Sequence, residues 1–213
     1  MSNTTDNVIS VYDSIANLYY EHREHLILSP EMNRFINLIN CKGLILDAGC
    51  GNGRDLKIFS ERGFEAVGID ASCGQLNYAR NRNYRTDVKL IKSDLRKFSY
   101  YCKFDGIWCN AVLQHLCNVD IVKVLKIFNA HLESKGVILA TFKKGNEYKY
   151  VVEKEFNNIV CYTNFHNENL IMDMAKEANL EVLVFDYYNE RDRFGIHNRN
   201  IDFIVAIMKH HMR

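Results

Sequence analysis

Acidic residues and glycines recur where apolar runs of this sequence end, in positions that could bind a nucleoside cofactor. The first such run ends in LDAGCGNGRD, which contains Asp47, Gly49, Gly51 and Gly53. Glycines in a turn of this kind let the backbone approach a ligand closely, and a helix that follows would offer free N–H donors. This turn alone is weak evidence for a ligand, because any tight turn between a strand and a helix favours glycine.

Three further apolar runs also end in polar groups. The second run ends at Asp70, about 20 residues after the glycines, where a carboxylate can accept both hydroxyls of a ribose. The third run ends in KSDL at Asp94 and Leu95, and the fourth leads into CNAVLQHL with Asn110 and His115. Chance polarity explains one or two such positions, and four in succession indicate a ligand site.

The segments that carry these residues alternate between strands and helices. Short apolar runs such as GLILDAG are typical of buried parallel strands, and VDIVKVLKIFNAHLESKG has the apolar spacing of a helix. Residues 5–40 have the same helical spacing. The last two strands, EVLVFDYY and IDFIVAIMK, have no helix between them, so an antiparallel pair is expected. The predicted fold class is α/β, with a doubly wound, mostly parallel seven-stranded sheet and a final antiparallel strand.

Composition limits the classes of protein that remain. The chain has 213 residues, of which 47% are hydrophobic and 25% are charged, and these values suit one folded domain over residues 1–213. The net charge of +1 gives no chain-wide basic field, so sequence-independent binding to nucleic acid is disfavoured. No run approaches the roughly 18 apolar residues of a membrane-spanning helix, so no membrane partner is expected.

Cysteine usage and the first residues predict a compartment. The start, MSNTTDNVIS, lacks the basic and apolar regions of a secretion signal. The seven cysteines are odd in number and include no CxxC pair, which favours reduced, structural thiols over disulfides or zinc. The neighbouring His210 and His211 have no nearby third ligand. We therefore expect a cytoplasmic protein without a metal site.

The spacing of the glycines distinguishes between nucleoside cofactors. A dinucleotide fingerprint, G-x-G-x-x-G, would need glycine in place of Arg54 or Leu56. The chain has G-x-G-x-G instead, with an acidic residue two positions before the first glycine. Four motifs follow one another in the chain: LDAGCGNG, GID with its acidic residue, SDL and FDGIWCNAVLQHL. On these motifs, residues 8–142 resemble the class I S-adenosylmethionine-dependent methyltransferases.

This resemblance implies S-adenosylmethionine as the cofactor and a role for each matched residue. Gly49 and Gly51 would back the methionine portion, Asp47 would join the network around its ammonium, and Asp70 would hold the ribose hydroxyls. The further contacts that the resemblance implies are Ala71 and Ser72 beside the adenine, Asp94 and the Leu95 amide on its nitrogens, Asn110 and Ala111 along the methionine, and His115 near the methyl group.

The opening YDSIANLYYEHR is similar to a segment that folds over the cofactor in many small members of this family. By this resemblance Arg23 would pair with the cofactor carboxylate, and Tyr12 or Tyr19 would close the site. The alternative is a helix whose aromatic side chains only pack on the sheet. The division that follows is an N-terminal helical lid (1–40), a cofactor-binding half (41–142) and an acceptor-side half (143–213).

The single proline, Pro30, restricts the methyl acceptor. Family members that methylate exocyclic amines of nucleobases use [DNS]-P-P-[YFW] after the fourth strand, where this chain has NAVL. A Pro-Cys nucleophile and the acidic pairs of the metal-dependent catechol enzymes are also lacking. The remaining acceptor is a small molecule, methylated by direct in-line displacement, with His115 as the first candidate for a catalytic base.

Two alternatives stay open. The opening segment also resembles wobble-uridine tRNA enzymes, so an RNA-modifying methyltransferase is one of them. The other is a non-catalytic, cofactor-binding regulatory subunit. The sequence is silent on the oligomeric state.

The acceptor pocket is expected between the N-terminal helices, the segment 143–166 and the loop 189–200. An aromatic wall is predicted from Tyr148, Tyr150, Phe156, Tyr162 and Phe165. Basic side chains that could favour an anionic acceptor are Lys143, Lys144, Arg191, Arg193 and Arg199, although solvated loop charges are the commoner explanation of such residues.

Overall fold

A computed structural model describes residues 2–196 and 199–211, so residues 197 and 198 of the last loop lie outside the described residues. Its helices are α1 (Ser2–Ser14), α2 (Ala16–Arg23), α3 (Ser29–Asn37), α4 (Arg54–Glu61), α5 (Cys73–Arg80), α6 (Asn118–His131), α7 (Glu168–Glu177) and α8 (Glu190–Phe194). Its strands are β1 (Leu44–Ala48), β2 (Glu65–Asp70), β3 (Val88–Lys92), β4 (Phe104–Cys109), β5 (Leu132–Lys143), β6 (Tyr148–Glu153), β7 (Ile159–Asn164), β8 (Leu180–Asn189) and β9 (Asp202–His210).

Seven strands form one sheet in the order β3-β2-β1-β4-β5-β9-β8. The pairs among β1 to β5 are parallel, and β9 is antiparallel to both of its neighbours, β5 and β8. The strand order reverses between β1 and β4, and ligands bind doubly wound sheets outside the carboxyl ends of strands at such a point. The predicted fold class and its antiparallel strand are confirmed.

Helices cover both faces of the sheet because the central strands carry apolar side chains in both directions. In β4, the consecutive residues Ile107, Trp108 and Cys109 are all fully buried. On one face, Trp108 packs against Phe35 of α3 and Phe59 of α4, with ring centroids 5.5 and 5.6 Å away. This packing fixes the loops after β1 and β4 next to each other.

The structure differs from the predicted elements in three places. The helix predicted across VDIVKVLKIFNAHLESKG ends at His131, because Leu132 is already extended and begins β5 by pairing with Phe104. The helical region predicted for residues 5–40 is three separate helices. A further element, the antiparallel hairpin of β6 and β7, lies inside the segment that was expected only to line the acceptor pocket.

The two faces of this hairpin have different surroundings. Glu153, Ile159 and Cys161 face a cavity, whereas Tyr148 and Tyr150 point outward and are 62% and 59% exposed. The aromatic wall was predicted from five residues, and for these two tyrosines the prediction is wrong. Alternation along a strand sends every second side chain to the opposite face, and the pairing places the tyrosines on the outer one.

Among the described residues, no helix is both long enough and apolar enough to cross a membrane.

Candidate active site

Two cavities lie side by side at the carboxyl edge of the sheet. The first, here called the glycine-loop cavity, is bounded by the loops after β1 to β4 and by α1, and encloses about 790 Å³ including its part open to solvent. The second, the hairpin cavity, is bounded by α2, the inner face of the β6–β7 hairpin and the ends of β5, β8 and β9, and encloses about 740 Å³ on the same measure.

The predicted cofactor residues gather around the glycine-loop cavity. All of them except Arg23 and Asp47 line it, namely Tyr12, Tyr19, Gly49, Gly51, Asp70, Ala71, Ser72, Asp94, Leu95, Asn110, Ala111 and His115. They come from five separate segments of the chain. The alternation of strands and helices is what brings their loops to the same edge.

The loop after β1 requires glycine for a steric reason. Gly49 has a φ of +80°, and a Cβ added to it would overlap the side chain of Val112 in the loop after β4. Gly51 also has a positive φ, of +52°. The close approach of the two loops leaves backbone, rather than side chains, as the wall of the cavity.

Asp70 joins the first two loops. Its Oδ2 accepts the Gly51 N–H at 2.8 Å and its Oδ1 accepts the Ser72 N–H at 2.8 Å. Burial raises the pKa of Asp70, and the backbone amides oppose that rise. The Ala71 amide also donates to Asp70, and since a carboxylate offers about four lone-pair sites, one remains for a donor from a ligand.

Two buried carboxylates below the cavity differ in their partners. Asp55 accepts from Arg54 Nε at 2.7 Å and from Trp108 Nε1 at 2.9 Å. Burial alone would raise the pKa of Asp55, but the Arg54 guanidinium lowers it below its usual value. Asp47, by contrast, has its Oδ2 buried without a hydrogen-bond partner in the described structure. Burial and then the nearby Asp55 hold the pKa of Asp47 well above its usual range.

Asp94 lies at the rim, where it caps the short 3-10 turn Leu95–Lys97. Its Oδ2 accepts from Arg96 Nη2 at 2.6 Å, and Arg96 also reaches Asp120 at 3.3 Å. Partial burial opposes ionisation, but the hydrogen bonds from Arg96 lower the pKa of Asp94. Asp94 therefore lines the cavity as an ionised, oriented carboxylate.

Five residues line both cavities and mark their junction: Tyr12, Tyr19, Asn110, Ala111 and His115. The Tyr12 hydroxyl lies 2.9 Å from His115 Nε2, and His115 Nδ1 lies 3.1 Å from the Tyr162 carbonyl oxygen. Since a carbonyl only accepts, Nδ1 carries the proton and Nε2 accepts from Tyr12. Burial, followed by the charge of Lys143, lowers the pKa of His115 to about 4, so the ring is neutral near pH 7.

The loop after β4 holds Ala111 in a left-handed conformation, with a φ of +58°. That conformation costs a residue with a side chain about 1–2 kcal/mol. Buried Thr141 of β5 stabilises it by accepting the Ala111 N–H at 2.7 Å and donating to Asn110 Oδ1 at 3.1 Å. Strained backbone held by such bonds is typical of ligand sites.

Helix α1 is fastened over the glycine-loop cavity by Asp13. Its Oδ1 accepts from the Ser72 hydroxyl at 2.6 Å and from the Gly74 N–H at 2.8 Å. Both donors belong to the start of α5, directly after Asp70. Asp13 stands beside Tyr12 in the opening motif, which was the only signal of its contact in the sequence.

Arg23 lies away from the predicted cofactor site. Its Nη2 donates to Glu155 Oε2 at 2.6 Å, and its guanidinium lies 4.8 Å from the centre of the Phe156 ring. It lines the hairpin cavity, where Tyr19 also stacks on Phe156. Its pairing with a cofactor carboxylate stays a prediction.

Of the other residues predicted for the acceptor pocket, Phe156, Lys143 and Arg199 line the hairpin cavity. Three further wall residues, Glu153, Glu190 and Phe194, were not named individually but fall within the segments 143–166 and 189–200 that were expected to form the pocket. The other two, Gln114 and Tyr188, were not anticipated from the sequence. They lie on separate elements and share no motif. Arg54, which stood out only as a mismatch to a dinucleotide fingerprint, also lines this cavity.

All seven cysteines are free. Within residues 2–196 and 199–211, no group of three or more His, Cys, Asp or Glu side chains could hold a metal ion.

Comparisons with known proteins agree with this geometry. A family model described as a methyltransferase domain matches residues 45–136. The malonyl-[acyl-carrier protein] O-methyltransferase of Acetivibrio thermocellus is 26% identical over 186 residues, which are 73% of this chain and 65% of that protein. Coverage of other curated relatives is lower: the chain spans about half of two of them, at 54% and 44%.

Solved structures share the fold at lower identity. The 1,6-didemethyltoxoflavin-N1-methyltransferase of Burkholderia thailandensis, solved with 1,6-didemethyltoxoflavin and S-adenosylhomocysteine, aligns at a TM-score of 0.70 and 16% identity, over 97% of this chain and 86% of that one. An S-adenosylmethionine-dependent methyltransferase from Clostridium acetobutylicum aligns at 0.69 and 18% identity, over 93% and 98%.

Residues 45–136 thus match a methyltransferase domain, and the strand order and overall fold are those of solved S-adenosylmethionine-dependent methyltransferases.

Proposed function

We propose that this protein transfers the methyl group of S-adenosylmethionine to a small organic molecule by direct in-line displacement. The observation that carries the proposal is the junction of the two cavities at Tyr12, Tyr19, Asn110, Ala111 and His115. One cavity has the backbone loops and carboxylates suited to a nucleoside, and the other has a separate wall of aromatic and charged side chains. A donor and an acceptor could therefore meet at the junction.

The residues around the glycine-loop cavity fit the cofactor chemically. In the proposed arrangement, Gly49 and Gly51 back the methionine portion, and the free lone pair of Asp70 accepts a ribose hydroxyl. The unpartnered Oδ2 of Asp47 supports this fit, because a buried carboxylate without a donor is costly and an ammonium would supply one. Ala71, Ser72, Asp94 and Leu95 would then surround the adenine.

The bound cofactor supplies an electrophilic methyl group on a sulfonium, so the protein's main task is alignment and exclusion of water. Asn110 and Ala111, held by Thr141, would fix the position of the methyl group between the cavities. When an acceptor must lose a proton, Tyr12 can take it while the Tyr12 hydroxyl proton passes to His115 Nε2, 2.9 Å away. The low pKa of His115 makes this a weak base and favours acceptors that bind with the accepting atom already deprotonated.

A small acceptor is favoured over RNA by the state of the basic side chains. Arg23, Arg54 and Arg199 all face the hairpin cavity, but each is held in a close ion pair with a carboxylate. Such cations are poor phosphate ligands, because binding RNA would break bonds that already satisfy them.

Calorimetric titration with S-adenosylmethionine, S-adenosylhomocysteine and NAD tests the cofactor. We expect binding of the first two and none of NAD. Transfer of radiolabelled methyl is then measured with a small-molecule extract, tRNA and unfractionated protein as separate acceptors. Label in the small-molecule fraction supports the proposal, and label confined to tRNA or protein contradicts it.

A further inference from the structure

We propose that the acceptor carries a carboxylate and that Lys143 binds it inside the hairpin cavity. This inference rests on the function proposed above and assigns a substrate class to the same site. The hairpin cavity has four cationic side chains. Three are arginines that are hydrogen-bonded to carboxylates, and the fourth, Lys143, is not.

The three guanidinium groups have close partners. Arg23 bonds Glu155 at 2.6 Å, Arg54 bonds Asp55 at 2.7 Å, and Arg199 bonds both Glu153 at 2.5 Å and Glu190 at 2.7 Å. Their donors are used in holding the walls of the cavity together.

Lys143 is the exception. Its side chain is only 3% exposed at the end of β5, and its Nζ makes no hydrogen bond with any residue in the described part of the chain. The nearest carboxylate oxygen, Glu153 Oε1, is 3.8 Å away, beyond hydrogen-bond distance, and the other oxygen of Glu153 is bonded to Arg199. A buried ammonium with unused donors is costly, so a ligand oxygen placed there would be bound favourably.

A second buried group in the same wall also lacks a partner. Gln114 is 5% exposed on the turn after β4, directly before His115, and its Oε1 has no hydrogen bond within residues 2–196 and 199–211. An unpaired acceptor suits a ligand that also carries an N–H or O–H. Lys143 and Gln114 thus present complementary unmet groups to one cavity.

Charge and wall chemistry narrow the ligand further. The carboxylates Glu153 and Glu190 lie close to Lys143, so a dianionic phosphate would be repelled more strongly than a monoanion. The rest of the wall includes Phe156, Phe194 and Phe203, which favour an apolar body. These features fit a small carboxylic acid with an apolar or aromatic body.

The test uses matched acids and amides as probes: benzoate, phenylacetate and hexanoate against benzamide, phenylacetamide and hexanamide. Each is titrated calorimetrically into the full-length protein with and without saturating S-adenosylhomocysteine. We expect the acid of at least one pair to bind about tenfold more tightly than its amide, as a charge-assisted hydrogen bond predicts. No preference for the acid in any of the three pairs would overturn the proposal.

Lys143→Met should remove the preference for the acid, whereas Lys144→Met should keep it. Lys144 is the matched control, because it is the next residue but lies 46% exposed in an ion pair with Glu168 outside the cavity. The melting temperature separates binding from structure. Lys143→Met should melt close to wild type, because Glu153 and Glu190 keep their hydrogen bonds to Arg199. A markedly lower value, or acid binding that survives Lys143→Met, would assign Lys143 a structural role.

Titration of the wild type and of Lys143→Met with S-adenosylmethionine keeps the two proposals distinguishable. If neither binds the cofactor while the acid preference is intact, the proposed methyl transfer fails and the carboxylate site stands. If both proteins bind the cofactor and no acid is preferred over its amide, the carboxylate site is contradicted and the proposed methyl transfer stands.

Discussion

The glycine-loop cavity and the hairpin cavity share five residues but are built from different kinds of group. The first is walled by backbone at Gly49 and Gly51 and by carboxylates that accept main-chain amides, as Asp70 does. The second is walled by side chains that reach one another across the fold, such as Arg23 and Glu155. A wall of backbone suits a ligand that is constant across a family, and a wall of side chains can change with the acceptor.

The largest effect on the glycine-loop cavity is expected at Gly49. Gly49→Ala should raise the Kd for S-adenosylmethionine by about 100-fold or more, because the added Cβ overlaps Val112 and alanine is strained at a φ of +80°. Gly63→Ala is the control in calorimetric titration: Gly63 has a φ of +89° but no atom within 4 Å of an added Cβ. Equal losses of affinity in the two variants would show general destabilisation rather than a blocked cavity wall.

Acid is also expected to destabilise the fold through a group next to the β6–β7 hairpin. His166, just after β7, is fully buried, and both ring nitrogens lack a hydrogen-bond partner within the described structure. Burial lowers its pKa to about 4, whereas the unfolded chain titrates near its usual value of about 6.5. As pH falls through this interval, the unfolded state takes up a proton that the folded state resists, so stability is lost.

We expect His166 to lower the free energy of unfolding by about 2–3 kcal/mol between pH 7 and about pH 4.5. His166→Phe removes the titrating group, keeps a ring against Phe142, and should flatten this part of the pH dependence. Urea unfolding of both proteins at the two pH values measures the difference. An unchanged slope would mean that the buried ring is not the source.

Asp47 and Asp55 are buried carboxylates on the glycine-loop side that differ in their hydrogen-bond partners. Asp47→Asn should weaken binding of S-adenosylmethionine by about tenfold while stabilising the free protein by about 1 kcal/mol, because a buried carboxylate without a donor is neutralised. Asp55→Asn is the matched variant and should destabilise the free protein, since Asp55 is paired with Arg54 and Trp108. Loss of stability in both variants would contradict the proposal that Asp47 binds the ammonium group of the cofactor.

The smallest effect is expected from the hydrogen bonds that hold α1 over the glycine-loop cavity. Asp13→Ala removes two hydrogen bonds to the start of α5 and should raise the Kd for the cofactor about threefold to tenfold, because α1 would cover the cavity for less of the time. Ser14→Ala is the control, since the Ser14 hydroxyl is exposed and bonds only within its own helix. A Kd equal to that of Ser14→Ala would mean that α1 closes the cavity without this contact.

The glycine-loop cavity was largely predictable, because its groups lie within a few residues of a strand end. Asp70, Asp94 and Asn110 each follow an apolar run, and parallel strands must bring such ends to one edge. The wall of the hairpin cavity was much less predictable from the sequence. Phe156, one of the predicted aromatic residues, lines it, but Tyr148 lies on the outer face, because the register of β6 with β7 decides which alternate side chains point inward.

The sequence by itself determined the alternation of strands and helices, the glycine-rich turn after the first strand, and the carboxylate of Asp70 at the end of the second, since these depend on neighbouring residues. Tertiary structure decided that Tyr12 meets His115, 103 residues away, and that Arg23 pairs with Glu155, 132 residues away. It also decided that Lys143 is buried with its nearest carboxylate oxygen, on Glu153, beyond hydrogen-bond distance. Contacts across such separations depend on how whole elements pack, and no local pattern encodes them.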